Sequence, residues 1–366
     1  MIEIVIYGAL IGFLLLLGII YHSEYNVALN KKRFVVITCS LLFVVMALRA
    51  LTVGTDVKNV VMIFMLNRPV FINGVNGFVY NLISKIGYMF APFPQTILII
   101  NAAIICGVIA YFVYNNSKDA FLSIYLYITL YFYFSSFNIM RQYDAIAMCL
   151  MCYTTCEKRK RALAILFAFL AFFIHSTSIV FFIALVAYKT ITCLKRIDVQ
   201  IVFGVILTFV LGYVFEPLLA LFAKVFPHYE MYIGDAEVAL NAYQSDGKKV
   251  LITLMFAGIL AFSYATIIKT ERKNSSFLVG ENVRIQLFFL MIAVALGFAG
   301  ARLQLIARME SYFSVYAIIL IPEFIRMIQA RYRKIIYFFF VFVMLVPMFV
   351  QLKSNSSGVV PYTTFF

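Results

Sequence analysis

Residues Phe137 to Tyr188 read FNIMRQYDAIAMCLMCYTTCEKRKRALAILFAFLAFFIHSTSIVFFIALVAY, and the way this stretch crosses a membrane decides the arrangement of everything after it. Two apolar runs flank the basic cluster Glu157 to Arg161, EKRKR, and each carries an ionisable intruder: Arg141 opens the first and His175 interrupts the second. Such groups at bilayer depth are costly and usually face a protein interior or a watery cavity, which makes both candidate functional residues. The plainer alternatives are that Arg141 pairs with Asp144 one turn along the same helix and that His175 merely breaks one. From Ala162 to Cys193 the chain stays apolar for longer than one ordinary span, with His175-Ser176-Thr177-Ser178 near the middle. One tilted helix would send every later loop to the opposite side, whereas two short helices hinged near His175 would not. Lys and Arg are enriched on the cytoplasmic side; the hinged reading keeps most of the chain's 30 basic residues there and the straight reading does not. The hinge is therefore expected. Ala162 to Ile174, at 1.5 Å per residue, reaches only about 20 Å of a ~30 Å hydrocarbon core, so His175 is expected in a depression below the headgroups.

Composition agrees with this reading. With 64% hydrophobic and 13% charged residues and a mean hydropathy of +0.98, the 366 residues hold too little polar surface to cover a soluble globule. The expectation is an all-α, polytopic integral membrane protein of about twelve transmembrane helices with a broken helix pair hinged near His175. It reads as a single domain, 1–366, with external loops at about 53–95 and 223–249. The net charge of +14 comes from short clusters between apolar runs, as in loops facing anionic lipid, which argues against a nucleic-acid partner. Lys31-Lys32-Arg33 are read as the first cytoplasmic loop, Val79 to Phe90 as an amphipathic helix within the first external loop, Ala120 to Phe134 and Ile139 to Cys156 as the fourth and fifth spans, and Ile2 to Tyr21 as a retained span rather than a signal peptide, because Glu3 stands where a basic residue would be needed. The six cysteines show no zinc-like spacing, and Cys149, Cys152 and Cys156 share one helical face as small packing residues. Neither metal nor cofactor is expected.

With that topology Arg49, Asp56, Arg141, His175, Arg302 and Arg308 all fall at or just below the external face. Guanidinium groups offer paired donors to phosphate oxygens and stay charged when partly desolvated, so the arginines suit a lipid diphosphate. A neutral histidine can take the proton of an attacking hydroxyl while arginines neutralise a departing diphosphate. Together they describe transfer of a group from a diphosphate lipid to an alcohol. A flippase or transporter would also use a basic cavity but would need access from both faces. A metal-dependent transferase would need an acidic pair in the first external loop, where only Asp56 stands; Asp235-Ala236-Glu237 lies later.

These residues also sit in familiar strings: ALRALTVGTD at Ala47 to Asp56, NIMRQYDAIA at Asn138 to Ala147, FFIHSTSIV around His175, ARMESYF at Ala307 to Phe313 and the terminal VVPYTTFF. In that order they resemble the EpsG family of exopolysaccharide polymerases, part of the wider Wzy group of O-antigen and capsule polymerases, over nearly the whole chain. The resemblance implies a multi-pass protein of the bacterial inner membrane. It would be a metal-independent glycosyltransferase that moves a growing glycan from undecaprenyl diphosphate onto the next lipid-linked repeat unit at the external face. Membrane lipid, a flippase and a chain-length regulator are the implied partners. By that likeness Arg49, Gly54, Asp56, Arg141, Gln142, His175 and Arg308 are motif positions, with His175 and Asp56 as candidate bases and Arg49, Arg141, Gln142 and Arg308 as diphosphate ligands. Arg302 joins them on topology alone. Asp144 departs from the pattern, an acid where an uncharged residue is expected.

Overall fold

The structure, a computed structural model, describes residues 5–23, 27–67, 77–225, 247–273, 280–300, 304–355 and 357–366; Arg302 and most of the expected external loop 223–249 lie outside the described residues. The chain is helical almost throughout. From the start run α1 (Val5–Ser23), α2 (Val27–Ala47), α3 (Val57–Met65), α4 (Phe78–Phe90), α5 (Pro94–Asn116), α6 (Ala120–Thr129), α7 (Phe132–Ser135), α8 (Met140–Glu157) and α9 (Arg161–Ile174). There follow α10 (Ile179–Thr190), α11 (Ile197–Val225), α12 (Gly247–Lys273), α13 (Glu281–Gly300), α14 (Gln304–Ser314), α15 (Ala317–Met327), α16 (Ala330–Val343) and α17 (Leu345–Ser354). Among the described residues, five helical stretches are long and apolar enough to cross a membrane: Val5–His22, Pro94–Asn116, Lys249–Thr270, Glu281–Gly300 and Ala330–Ser354. Shorter apolar helices, including Arg161–Ile174 and Ser176–Thr190, stand between them.

Where the sequence shows no linker, the fold divides into two compact units, Met1–Ile179 with Ile321–Phe366, and Val180–Leu320. In the first, α8 packs against both α5 and α9, and α2 lies along α5. Local chemistry sets the helix ends. Pro94 opens α5, where its missing N–H would have no helical partner anyway, and the Asp119 carboxylate starts α6 by accepting from the Leu122 N–H at 3.0 Å. The basic turn after α8 closes with Arg159 in the left-handed region, φ 58°, and brings α9 back along α8.

Three boundaries differ from the sequence expectation. Lys31, Lys32 and Arg33 lie inside α2 rather than in a loop, because the long Lys31 side chain reaches the end of α5 and donates to Ser117 O at 2.6 Å. The expected span Ala120 to Phe134 is split at Tyr131, whose φ of 72° ends α6 and starts α7. The stretch 53–95, expected as an external loop, contains a second helix, α3, besides the expected amphipathic one. At His175 the helix is interrupted: α9 ends at Ile174, His175 is extended (φ −151°, ψ 114°), and a short 3₁₀ turn, Ser176–Ser178, precedes α10.

In the second unit α13 is the most enclosed of the described helices, packed by α11, α12 and α14. Aromatic rings of Phe181, Phe289, Phe313 and Tyr316 meet in its core, Phe289 and Tyr316 with centroids 4.8 Å apart.

Candidate functional site at the start of helix α8

The first unit gathers several of the singled-out residues around the entry to α8. The loop after α2 turns through Gly54, whose φ of 108° is open to glycine, and a Cβ there would lie 2.8 Å from Phe137 O, so nothing larger can approach. The residues that follow are fastened by Asn138: its Oδ1 accepts from Thr55 Oγ1 at 2.6 Å and from the Asp56 N–H at 2.8 Å. Asp56, half-buried, is thereby held beside the chain that becomes Met140, Arg141 and Gln142. Arg141 is half-buried and Gln142 is buried.

Arg49, expected as a diphosphate ligand, is fully enclosed (0% exposed), and its guanidinium turns to the interior. Nη1 donates to Met46 O, Nη2 to Met140 Sδ at 3.1 Å and, at longer range, to Phe137 O, and the group stacks 4.7 Å above the Phe137 ring. Arg49 thereby braces the loop against the start of α8.

One turn into α8 lies Asp144, 1% exposed, whose Oδ2 accepts from Asn101 Nδ2 of α5 at 2.7 Å. Among the described residues Asn101 Oδ1 and Asp144 Oδ1 make no further hydrogen bond, nor does the buried Tyr80 hydroxyl on α4. Burial first, then the Asp144 charge, pushes the Tyr80 phenol above its ordinary range, with Arg141 and Arg49 pulling the other way.

His175 is half-buried at the break after α9, and the turn that follows it packs on α8. Its Nδ1 lies 2.7 Å from Thr177 Oγ1. When Nδ1 carries the hydrogen and donates to that hydroxyl, Nε2 presents its lone pair, the state a general base requires. In the second unit Arg308 is exposed on α14, and Glu310, 3% exposed, pairs with Lys249. Arg302, Asp235, Ala236 and Glu237 lie outside the described residues. Among the described residues no three His, Cys, Asp or Glu side chains gather as metal ligands.

Reading the sequence gave no role to Asn138, Thr177 or Asn101. Asn101 alone carried a signal of its own, a lone amide in the otherwise apolar Ile97 to Val113.

A model of the EpsG family matches residues 32–364. No curated protein and no solved structure matches. Family and apolar helices together make the chain a multi-pass, all-α membrane protein of polysaccharide biosynthesis.

Proposed function

Since the chain belongs to the EpsG family, we propose that it is a polysaccharide polymerase, joining undecaprenyl-diphosphate-linked oligosaccharide repeats at the external face of the bacterial inner membrane. The observation that supports the reading is the tie of the Asp56 backbone through Asn138 to the chain entering α8, just ahead of Met140 and Arg141, in the unit that also holds His175 at a helix break. In the proposed reaction an acceptor sugar hydroxyl gives its proton to His175 Nε2 and its oxygen bonds to the anomeric carbon of the donor. The bond from that carbon to the diphosphate oxygen breaks, and the lipid diphosphate leaves with the electron pair. Arg141 neutralises the leaving charge, which is worth most where water is scarce. Thr177 holds the imidazole in the accepting tautomer, and Asp56 stands as the second candidate base. Gln142, Arg302 and Arg308 remain diphosphate-binding candidates on their motif or topological positions. No metal is required, because the diphosphate is itself a good leaving group once paired with arginine.

The topology that goes with this function has about twelve crossings of ~20 residues and a chain reversal at His175. Single cysteines replacing Ser176 and Ser354 should react with an impermeant external thiol reagent, and one replacing Ser275 should be protected. The opposite pattern removes the reversal. Activity is tested with purified protein and lipid-linked repeat units alone: ladders of increasing glycan length should form without nucleotide sugars or added divalent metal. Loss of all product with EDTA, regained with Mg²⁺, would establish metal-dependent transfer. Movement of intact lipid-linked units with no change in glycan length would establish a flippase.

A further inference from the structure

Residues 357–365 return to the loop that carries Gly54 and Asp56. The Ala50 N–H donates to Thr363 O at 2.8 Å and the Phe365 N–H to Leu48 O at 3.1 Å, making Arg49 and Thr364 an antiparallel bridge. Further along, the Gly54 N–H donates to Gly358 O at 2.8 Å and the Thr55 N–H to Ser357 O at 3.3 Å. Side chains pin the segment at its other edge. Tyr7 of α1 donates to Val359 O at 2.7 Å, and Tyr362 donates to Val45 O near the end of α2 at 2.8 Å. Val359 is fully enclosed. Gly358, φ 63°, lies so close that a Cβ would sit 2.9 Å from Thr55 Cγ2. Thr52 and Thr363 hydroxyls are 3.3 Å apart.

Backbone groups in a loop must be paired or wetted, and at Ala50, Gly54 and Thr55 the donors are paired by this segment. The loop's far end then hands Thr55 and Asp56 to Asn138. We propose that residues 357–365 are a positioning segment for the external site: by pairing with the backbone of the loop they fix where Asp56 stands relative to the start of α8, and Gly358, Tyr362 and Tyr7 are the residues through which they do so. The segment touches no substrate. Its effect on polymerisation rests on the function proposed above; its effect on Asp56 does not.

The test uses the full-length chain with its six cysteines replaced. In Thr52→Cys/Thr363→Cys a disulfide should form on mild oxidation, since the two side chains are already within reach of one another. In Asp56→Cys, removal of residues 357–366 or the change Gly358→Ala should raise the rate of reaction with an external maleimide several-fold. A synthetic peptide of residues 357–366 should lower it again, as backbone pairing in trans allows. In the otherwise intact chain the deletion should cut polymer formation by about 10²-fold, the scale expected when a reacting group is displaced by about 1 Å. That loss should fall on kcat more than on KM at unchanged membrane level, with partial return on adding the peptide. Tyr362→Phe, which removes one hydrogen bond and keeps the ring, should lose far less. No cross-link, or a maleimide rate in Asp56→Cys that the deletion leaves unchanged, overturns the proposal even if the protein polymerises. A wild-type chain that makes no polymer while the cross-link and reactivity changes appear would refute the proposed activity and leave the positioning segment standing.

Discussion

Helices α8 and α9 form one hairpin and obey opposite rules. α8 carries Arg141, Gln142, Asp144, Thr154 and Thr155, and most of its 18 residues are buried. α9 is apolar along nearly its whole length, yet only Ala164, Ala171 and Ile174 of its 14 residues are buried, with Ile165, Leu166 and Phe169 half exposed or more. In water that distribution would be perverse. In a bilayer it follows from the solvent: hydrocarbon receives Leu and Phe at no cost, while a charged or amide side chain must be hidden among protein partners. Low hydropathy here marks the interior, and high hydropathy marks the surface.

The sharpest way to break the contrast is at the polar residue that ends the apolar helix. A general base contributes about 10²- to 10⁴-fold to rate, so His175→Ala should remove most polymer while the protein inserts normally, and His175→Gln should not restore it, because an amide takes no proton at neutral pH. Arg141→Lys at the head of α8 should also lose activity, since it keeps the charge and loses the planar fork. Ladder formation measured against membrane protein level separates this from simple helix breaking; near-normal ladders from His175→Gln would remove His175 as base and leave Asp56.

Much of this was open to reading before any fold was known, for reasons that differ by residue. The bounds expected for the fifth span, Ile139 to Cys156, differ by one residue at each end from α8, because a run of Lys and Arg leaves hydrocarbon abruptly. The break at His175 was legible because imidazole, serine and threonine compete with the helix ladder. The enclosure of Arg49 was not legible, for an equally physical reason. Its place at the end of a span says external, but a residue at the end of a helix can still be roofed over by Phe137 and by a segment whose Thr363 lies 311 positions beyond Thr52, and pairings that distant leave no periodic trace. Tyr131 left none either, since a tyrosine at positive φ looks like any other aromatic in an apolar run.

A smaller effect would sharpen the comparison inside α8. Asp144→Leu strands the Asn101 amide in the interior and should destabilise the purified protein by about 1–3 kcal/mol, whereas Asp144→Leu with Asn101→Leu should recover much of that by removing both partners. Thermal unfolding in detergent reports the cycle. A loss in the double variant equal to the sum of the losses in Asp144→Leu and Asn101→Leu alone would mean that the pair at 2.7 Å is not coupled.

The smallest effect belongs to the outward face of α9. Leu166→Ala and Phe169→Ala each trade lipid contact for lipid contact and should stay within about 0.5 kcal/mol, while Leu150→Ala in α8, 1% exposed, should cost about 2–5 kcal/mol. A large loss at Phe169 would place that face against protein rather than lipid.

The hydrogen bond from Tyr7 to Val359 spans 352 positions in the chain. At about 5–20 residues per second, a ribosome takes roughly 20–70 s to make that interval. Throughout it the amides of Ala50 and Gly54 have no partner in residues 357–365 and must be served by water. Newly inserted molecules would therefore pass through a period of biogenesis in which the α8–α9 hairpin is in place while the loop that carries Asp56 is not yet held.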